Sequence, residues 1–144
     1  MLVVDDALLL AVLGGTAPPE LDEAVRRAEV YTTGSWYYRL GRAVYDQRLT
    51  GVLSSALAAL APERQALVLA GLDELPPQIG LLSLRQLVPL MRRLDTGRQL
   101  NLLTAEALAA ARMLEAGIRV TNESRLLHDA CHTLGVDLQV VAPT

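Results

Sequence analysis

Phenylalanine and lysine are absent from this 144-residue sequence, cysteine occurs once, and the aromatic residues together make up 3%. Without Phe the core must be aliphatic, and 30 Leu, 20 Ala and 13 Val supply it, packed helix on helix or helix on sheet. A chain that is 51% apolar is not of the disordered class. The lone Cys131 allows no intramolecular disulfide and no zinc ribbon or finger, which predicts a reducing, cytoplasmic setting. All 13 cations are Arg, against 16 carboxylates, for a formal net charge of -3. No general basic field draws nucleic acid, so any contact with RNA or DNA must be local. Long apolar runs are missing too. Ala7–Leu13 is well short of the ~20 residues that a membrane span needs, and it follows Asp5 and Asp6 instead of the basic residues of a signal peptide. No Gly-rich phosphate loop follows a strand, since Gly14-Gly15 ends a helix. The length supports one domain, residues 1–144, with a sizeable core.

What is present reads as alternating strands and helices. Leu2-Val3-Val4 is a short β-branched run that stops at two carboxylates, as a buried parallel strand does when its carboxyl end opens onto a site. Asp5 or Asp6 caps the following helix, which runs to about Leu13. Glu20 to Ala28 is a second helix and Glu29 to Thr32 a second strand. Gly34 to about Gln47 is a third helix, with Trp36, Leu40, Ala43 and Val44 on one stripe. Val52 to Leu60 is Leu/Ala-rich, Pro62 starts another helix, and Ile79 to Leu82 reads as a strand. Ser83 with Gln86 forms a capping-box pattern, and Pro89 predicts a kink or break near Arg85. Thr104 to Glu115 is an alanine-rich helix ended by Gly117. Ile118 to Thr121 is a strand, Ser124 to Leu134 a helix, and Leu138 to Val141 a final strand. Strands separated by helices predict an α/β chain: a three-layer α/β/α sandwich with a mostly parallel central sheet.

In such a sheet ligands bind beyond the carboxyl ends of the strands. Asp5 and Asp6 follow the first strand, Glu123 follows the Val120-Thr121 strand, and Glu106 falls in the first turn of the alanine-rich helix. Carboxylates gathered without Cys or paired His suit a hard cation such as Mg²⁺ or Mn²⁺, and phosphodiester hydrolysis is its natural use. The same acids also serve as helix caps or favour helix N-termini, so both readings stay open. Trp36-Tyr37-Tyr38-Arg39 could stack bases and pair with phosphate. Trp36 is in phase with the core stripe, however, and Tyr38, Arg42 and Tyr45 line a neighbouring stripe that could equally be a dimer face. Arg92, Arg93 and Arg98 read as a solvated face. His128 and His132, four residues apart, lack an evident third ligand, and Cys131 lies on a buried stripe with no electropositive setting.

Val3-Val4-Asp5 running into an apolar helix, Leu100-Asn101-Leu102-Leu103-Thr104-Ala105 running into an alanine-rich one, and Val120-Thr121-Asn122-Glu123 before Leu134-Gly135-Val136 together resemble the PIN domain. The likeness spans the chain in element order, through short motifs. PIN proteins are small α/β/α nucleases, many of them toxin ribonucleases of bacterial toxin–antitoxin pairs, with a quartet of acidic metal ligands. The resemblance puts the first at Asp5. The second falls within Trp36 to Arg39, nearest Tyr38, where no carboxylate stands. The third is Thr104 or Glu106, and the fourth is Glu123 in place of Asp. It thus implies a degenerate Mg- or Mn-dependent site of Asp5, Glu106 and Glu123, with Asp6, Thr104 and Asn122 behind them. Tyr38, Arg39 and Arg42 would face RNA or form an interface. RNA hydrolysis would be weak or absent. The resemblance also implies a homodimer and an antitoxin peptide as partners, and no membrane. The alternative is a noncatalytic interaction or dimerisation module that keeps the fold.

Overall fold

The computed structural model describes residues 1–46, 51–122 and 124–142, and within them five strands alternate with eight helices. In chain order these are β1 (Leu2–Val4), α1 (Asp6–Gly14), α2 (Pro19–Arg26), β2 (Val30–Thr32), α3 (Gly34–Tyr45), α4 (Val52–Ala58) and α5 (Pro62–Asp73). They continue as β3 (Ile79–Leu81), α6 (Leu84–Met91), α7 (Leu102–Leu114), β4 (Gly117–Val120), α8 (Arg125–Leu134) and β5 (Leu138–Val140). All strand pairings are parallel, in the order β3-β2-β1-β4-β5. The fold is α/β with an all-parallel sheet between helical layers, compatible with the three-layer sandwich that the strand–helix alternation predicts.

The central strands alternate their faces between the two layers. Val3, Ile118 and Val120 pack with α6, α7 and α8. Val4, Val30 and Ile79 pack with α1, α2, α3 and α5. Because β1 lies between β2 and β4, both its faces are covered, and Val3 and Val4 are completely buried. The closest strand packing rests on glycine. A Cβ on Gly80 would strike the ring of Tyr31, its register partner on β2.

Several boundaries differ from the sequence reading. Helix α6 continues through Pro89, whose ring takes away the amide that would have bonded to the Arg85 carbonyl. Helix α7 starts at Leu102, capped by the Asn101 side chain on Thr104 N at 2.8 Å. Its end is set by Glu115, which takes the left-handed conformation at φ 52°, and not by Gly117. Gly117 opens β4 instead, where a Cβ would sit 2.7 Å from the guanidinium of Arg119. Helix α3 ends at Tyr45, and the predicted end at Gln47 lies outside the described residues.

Candidate functional site

The strand order reverses direction between β1 and β4. From β1 the chain crosses over towards β2 and β3, and from β4 towards β5, so the helices that follow diverge and leave a crevice at the carboxyl ends. Asp5 directly follows β1 at that crevice and Thr121 directly follows β4. The Asp5 carboxylate joins them. Its Oδ1 caps α1 by accepting from Leu8 N at 2.9 Å. Its Oδ2 accepts from Thr121 N at 2.7 Å and from the Thr121 hydroxyl at 3.0 Å. Burial raises the carboxyl's pKa above the ordinary value, while these hydrogen bonds and the charge of Arg39 pull against it.

Asp6 is 8% exposed and less well served. Its Oδ1 accepts from Ala7 N at 2.9 Å, whereas Oδ2 is buried and accepts no hydrogen bond. That same Oδ2 lies 3.4 Å from Arg39 Nε, an ion pair that compensates its charge. Burial pushes this pKa up, Arg39 lowers it, and the neighbouring Asp5 raises it. A cavity of about 260 Å³ opens here, lined by Asp5, Asp6, Trp36, Arg39, Thr104 and Thr121, with Asn122 and Ser124 also on its wall.

The crevice therefore collects Asp5, Asp6, Thr104, Asn122 and Arg39, and leaves out others that the sequence reading grouped with them. Glu106 lies in the second turn of α7, because the helix begins two residues earlier than its sequence pattern indicates. It points to the N-terminus of α3, where it is fully buried and accepts from the Ser35 hydroxyl at 2.5 Å and from Ser35 N at 3.3 Å. Thr104, not Glu106, faces the cavity. Tyr38 is 69% exposed and does not line it, while its neighbour Arg39 does. Arg42 lines an adjoining cavity. Glu123 lies outside the described residues.

Among the described residues these donors do not assemble a divalent-cation site. Both Asp5 oxygens are engaged, Glu106 is committed to Ser35, and a permanent guanidinium charge faces Asp6. Among the described residues no group of three His, Cys, Asp or Glu could hold a metal. His128 and His132 are both exposed on α8. Burial pushes the Cys131 thiol up to about 11, which keeps it protonated and unreactive at neutral pH.

Two groups escaped the sequence reading. Thr121 stands out in the structure because it leaves β4 and turns its amide and hydroxyl onto Asp5, a pairing 116 residues apart that no local pattern encodes. Arg119 is a buried cation on β4, paired with Asp137 at 2.9 Å. The signal available for Arg39 was its place beside Trp36 and Leu40, the buried positions of α3. Among the described residues no helix is long and apolar enough to cross a membrane. No protein-family model matches this chain, and no curated protein matches it.

Proposed function

We propose that this chain is a PIN-like protein of the toxin-ribonuclease type whose acidic site is degenerate, so that it faces RNA while hydrolysing phosphodiesters weakly or not at all. The observation behind this reading is the crevice between β1 and β4, which brings the Asp5 carboxylate and the positive charge of Arg39 into one cavity. Mg²⁺ or Mn²⁺ would be bound weakly there, because the guanidinium repels it and Asp5 is already hydrogen-bonded. Calorimetric titration of Mn²⁺ into the native protein and Asp5→Asn, with a single-stranded RNA binding and cleavage assay alongside, tests it. The expected result is RNA binding with no saturable Mn²⁺ isotherm and little or no turnover. A saturable isotherm lost in Asp5→Asn, together with rapid cleavage, would make the chain an active nuclease.

A specific feature supports the second reading, a noncatalytic interaction module. An apolar groove of about 410 Å³ between α1 and α4, lined by Leu10, Ala11, Val52, Ala56 and Leu60, shares Val52 and Thr121 with the crevice. An antitoxin peptide or a second copy in a homodimer suits such a groove. Failure to bind RNA in the same assay would leave this module as the function.

A further inference from the structure

Arg42 apart, the described arginines outside residues 84–94 all meet an acceptor, a carboxylate in most cases and a backbone carbonyl for Arg64 and Arg112. The guanidinium groups of Arg85, Arg92 and Arg93 meet none among the described residues. No carboxylate stands between Glu74 and Asp95 in the sequence, so α6 lacks the local partner that Glu23 gives Arg26 and Arg27 on α2. In a chain of net charge -3 this is a local basic surface. Helix α6 packs inward through Leu87, with Leu90 and Met91 half-buried beside it. At about 100° per residue, Arg85 and Arg92 fall on one outward stripe. Leu84 and Val88, each 45% exposed, line the stripe next to it. The capping box of Ser83 and Gln86 fixes the start of the helix, so both stripes are held in place before anything binds.

We propose that the outer face of α6 docks an acidic amphipathic helix of a partner protein. Apolar residues of that helix, spaced three and four apart, lie on Leu84 and Val88, and Asp or Glu beside them meet Arg85 and Arg92. The unpaired arginines set the sign of the partner, and the apolar stripe asks for more than charge. RNA fits this face less well, because the exposed aromatics Tyr38 and Tyr45 belong to α3 and leave no stacking platform among these arginines. A lipid surface also fits less well, since α6 carries no aromatic anchor and the fold already covers about half of Leu84 and Val88. A second copy seated α6 on α6 would set like charges against each other. None of these residues lines the crevice or the groove between α1 and α4, so the inference is independent of the function proposed above.

Fluorescence anisotropy with a labelled synthetic helical peptide, a leucine stripe flanked by glutamates, tests the proposal. A lysine-for-glutamate counterpart, single-stranded RNA and phosphatidylserine vesicles are titrated separately. The glutamate peptide is expected to bind saturably and the lysine peptide not at all. Arg85→Gln with Arg92→Gln, both on exposed side chains, should weaken the glutamate peptide about tenfold and flatten its salt dependence. Leu84→Ala with Val88→Ala should weaken it at low and high salt alike, a split that general damage to the fold would not produce. Arg85→Glu with Arg92→Glu should reverse the preference, so that the lysine peptide binds and the glutamate peptide does not. Absence of saturable binding by the glutamate peptide, or binding indifferent to the arginine pair, would overturn the proposal. RNA or vesicles held through Arg85 and Arg92 more tightly than the peptide would overturn the choice of a protein partner. Peptide binding that survives in a protein unable to bind or cut RNA would uphold it and leave the crevice reading to fail alone.

Discussion

Helices α7 and α4 are both rich in leucine and alanine, yet their surroundings are opposite. In α7, Ala107 to Ala111 are at most 2% exposed, together with a buried glutamate, while α4 has no buried residue at all. Topology makes the difference. The crossover from β3, at the sheet edge, back to β4 must lay its helix across the middle of the sheet, so α7 contacts β1, β4 and the helices α3, α6 and α8. The short alanine side chains let it lie close. Helix α4 is one of three helices between neighbouring strands β2 and β3, and it leans mainly on α1 and α3. The ends differ too, since Asn101 caps α7 and no side chain caps α4. So do the carboxylates of the two layers: Glu106 is hydrogen-bonded through both oxygens, and Asp6 has one oxygen that meets only the Arg39 guanidinium, with no hydrogen bond among the described residues.

The contrast can be broken from the α7 side. Leu108→Ala, at a fully buried position, should cost about 2–5 kcal/mol in urea unfolding, whereas Leu57→Ala on α4 should cost well under half of that. Glu106→Ala leaves the Ser35 hydroxyl and amide without their acceptor and should cost about 1–3 kcal/mol, with Glu106→Gln recovering part of it. Asn101→Ala removes the α7 cap, for about 1 kcal/mol by the same measurement. The Asp6 prediction depends on pH. Its pKa is raised on folding above the ordinary 3.8, so the folded state holds the proton more tightly than the unfolded one. Stability linked to this group is therefore present at low pH and lost as pH rises from about 3.8 through the raised value. Asp6→Asn should melt above the wild type at neutral pH, with the gap closing in acid; a gap that widens in acid would refute the sign. Smallest is Gly51→Ser, which offers α4 a capping hydroxyl in open space and should add a few tenths of a kcal/mol.

Strand and helix order were legible because the chain alternates short β-branched runs with amphipathic or alanine-rich segments, and Asp5, Ser83 and Ser124 mark helix starts with capping side chains. Placement of side chains across the crevice was less so. Thr104 and Glu106 lie two residues apart, about 200° around α7 at about 100° per residue, so only one of them can reach the cavity, and it is Thr104. Arg39 read as an RNA or interface residue, because nothing within α3 reveals that Asp6 lies opposite. Contacts between distant segments decide such positions, and one sequence carries no direct record of them.

The hydrogen bonds from Thr121 to Asp5 also set a timetable. At about 5–20 residues per second, a chain under synthesis delivers Thr121 on the order of ten seconds after Asp5. Until then β1 can pair with β2 alone, and its other edge, reserved for β4, stays open. The crevice thus cannot exist on a nascent or truncated chain. A molecule that emerges unfinished from the ribosome carries Asp5 and Arg39 but no closed pocket, so whatever this crevice binds, it binds only once translation has passed Thr121.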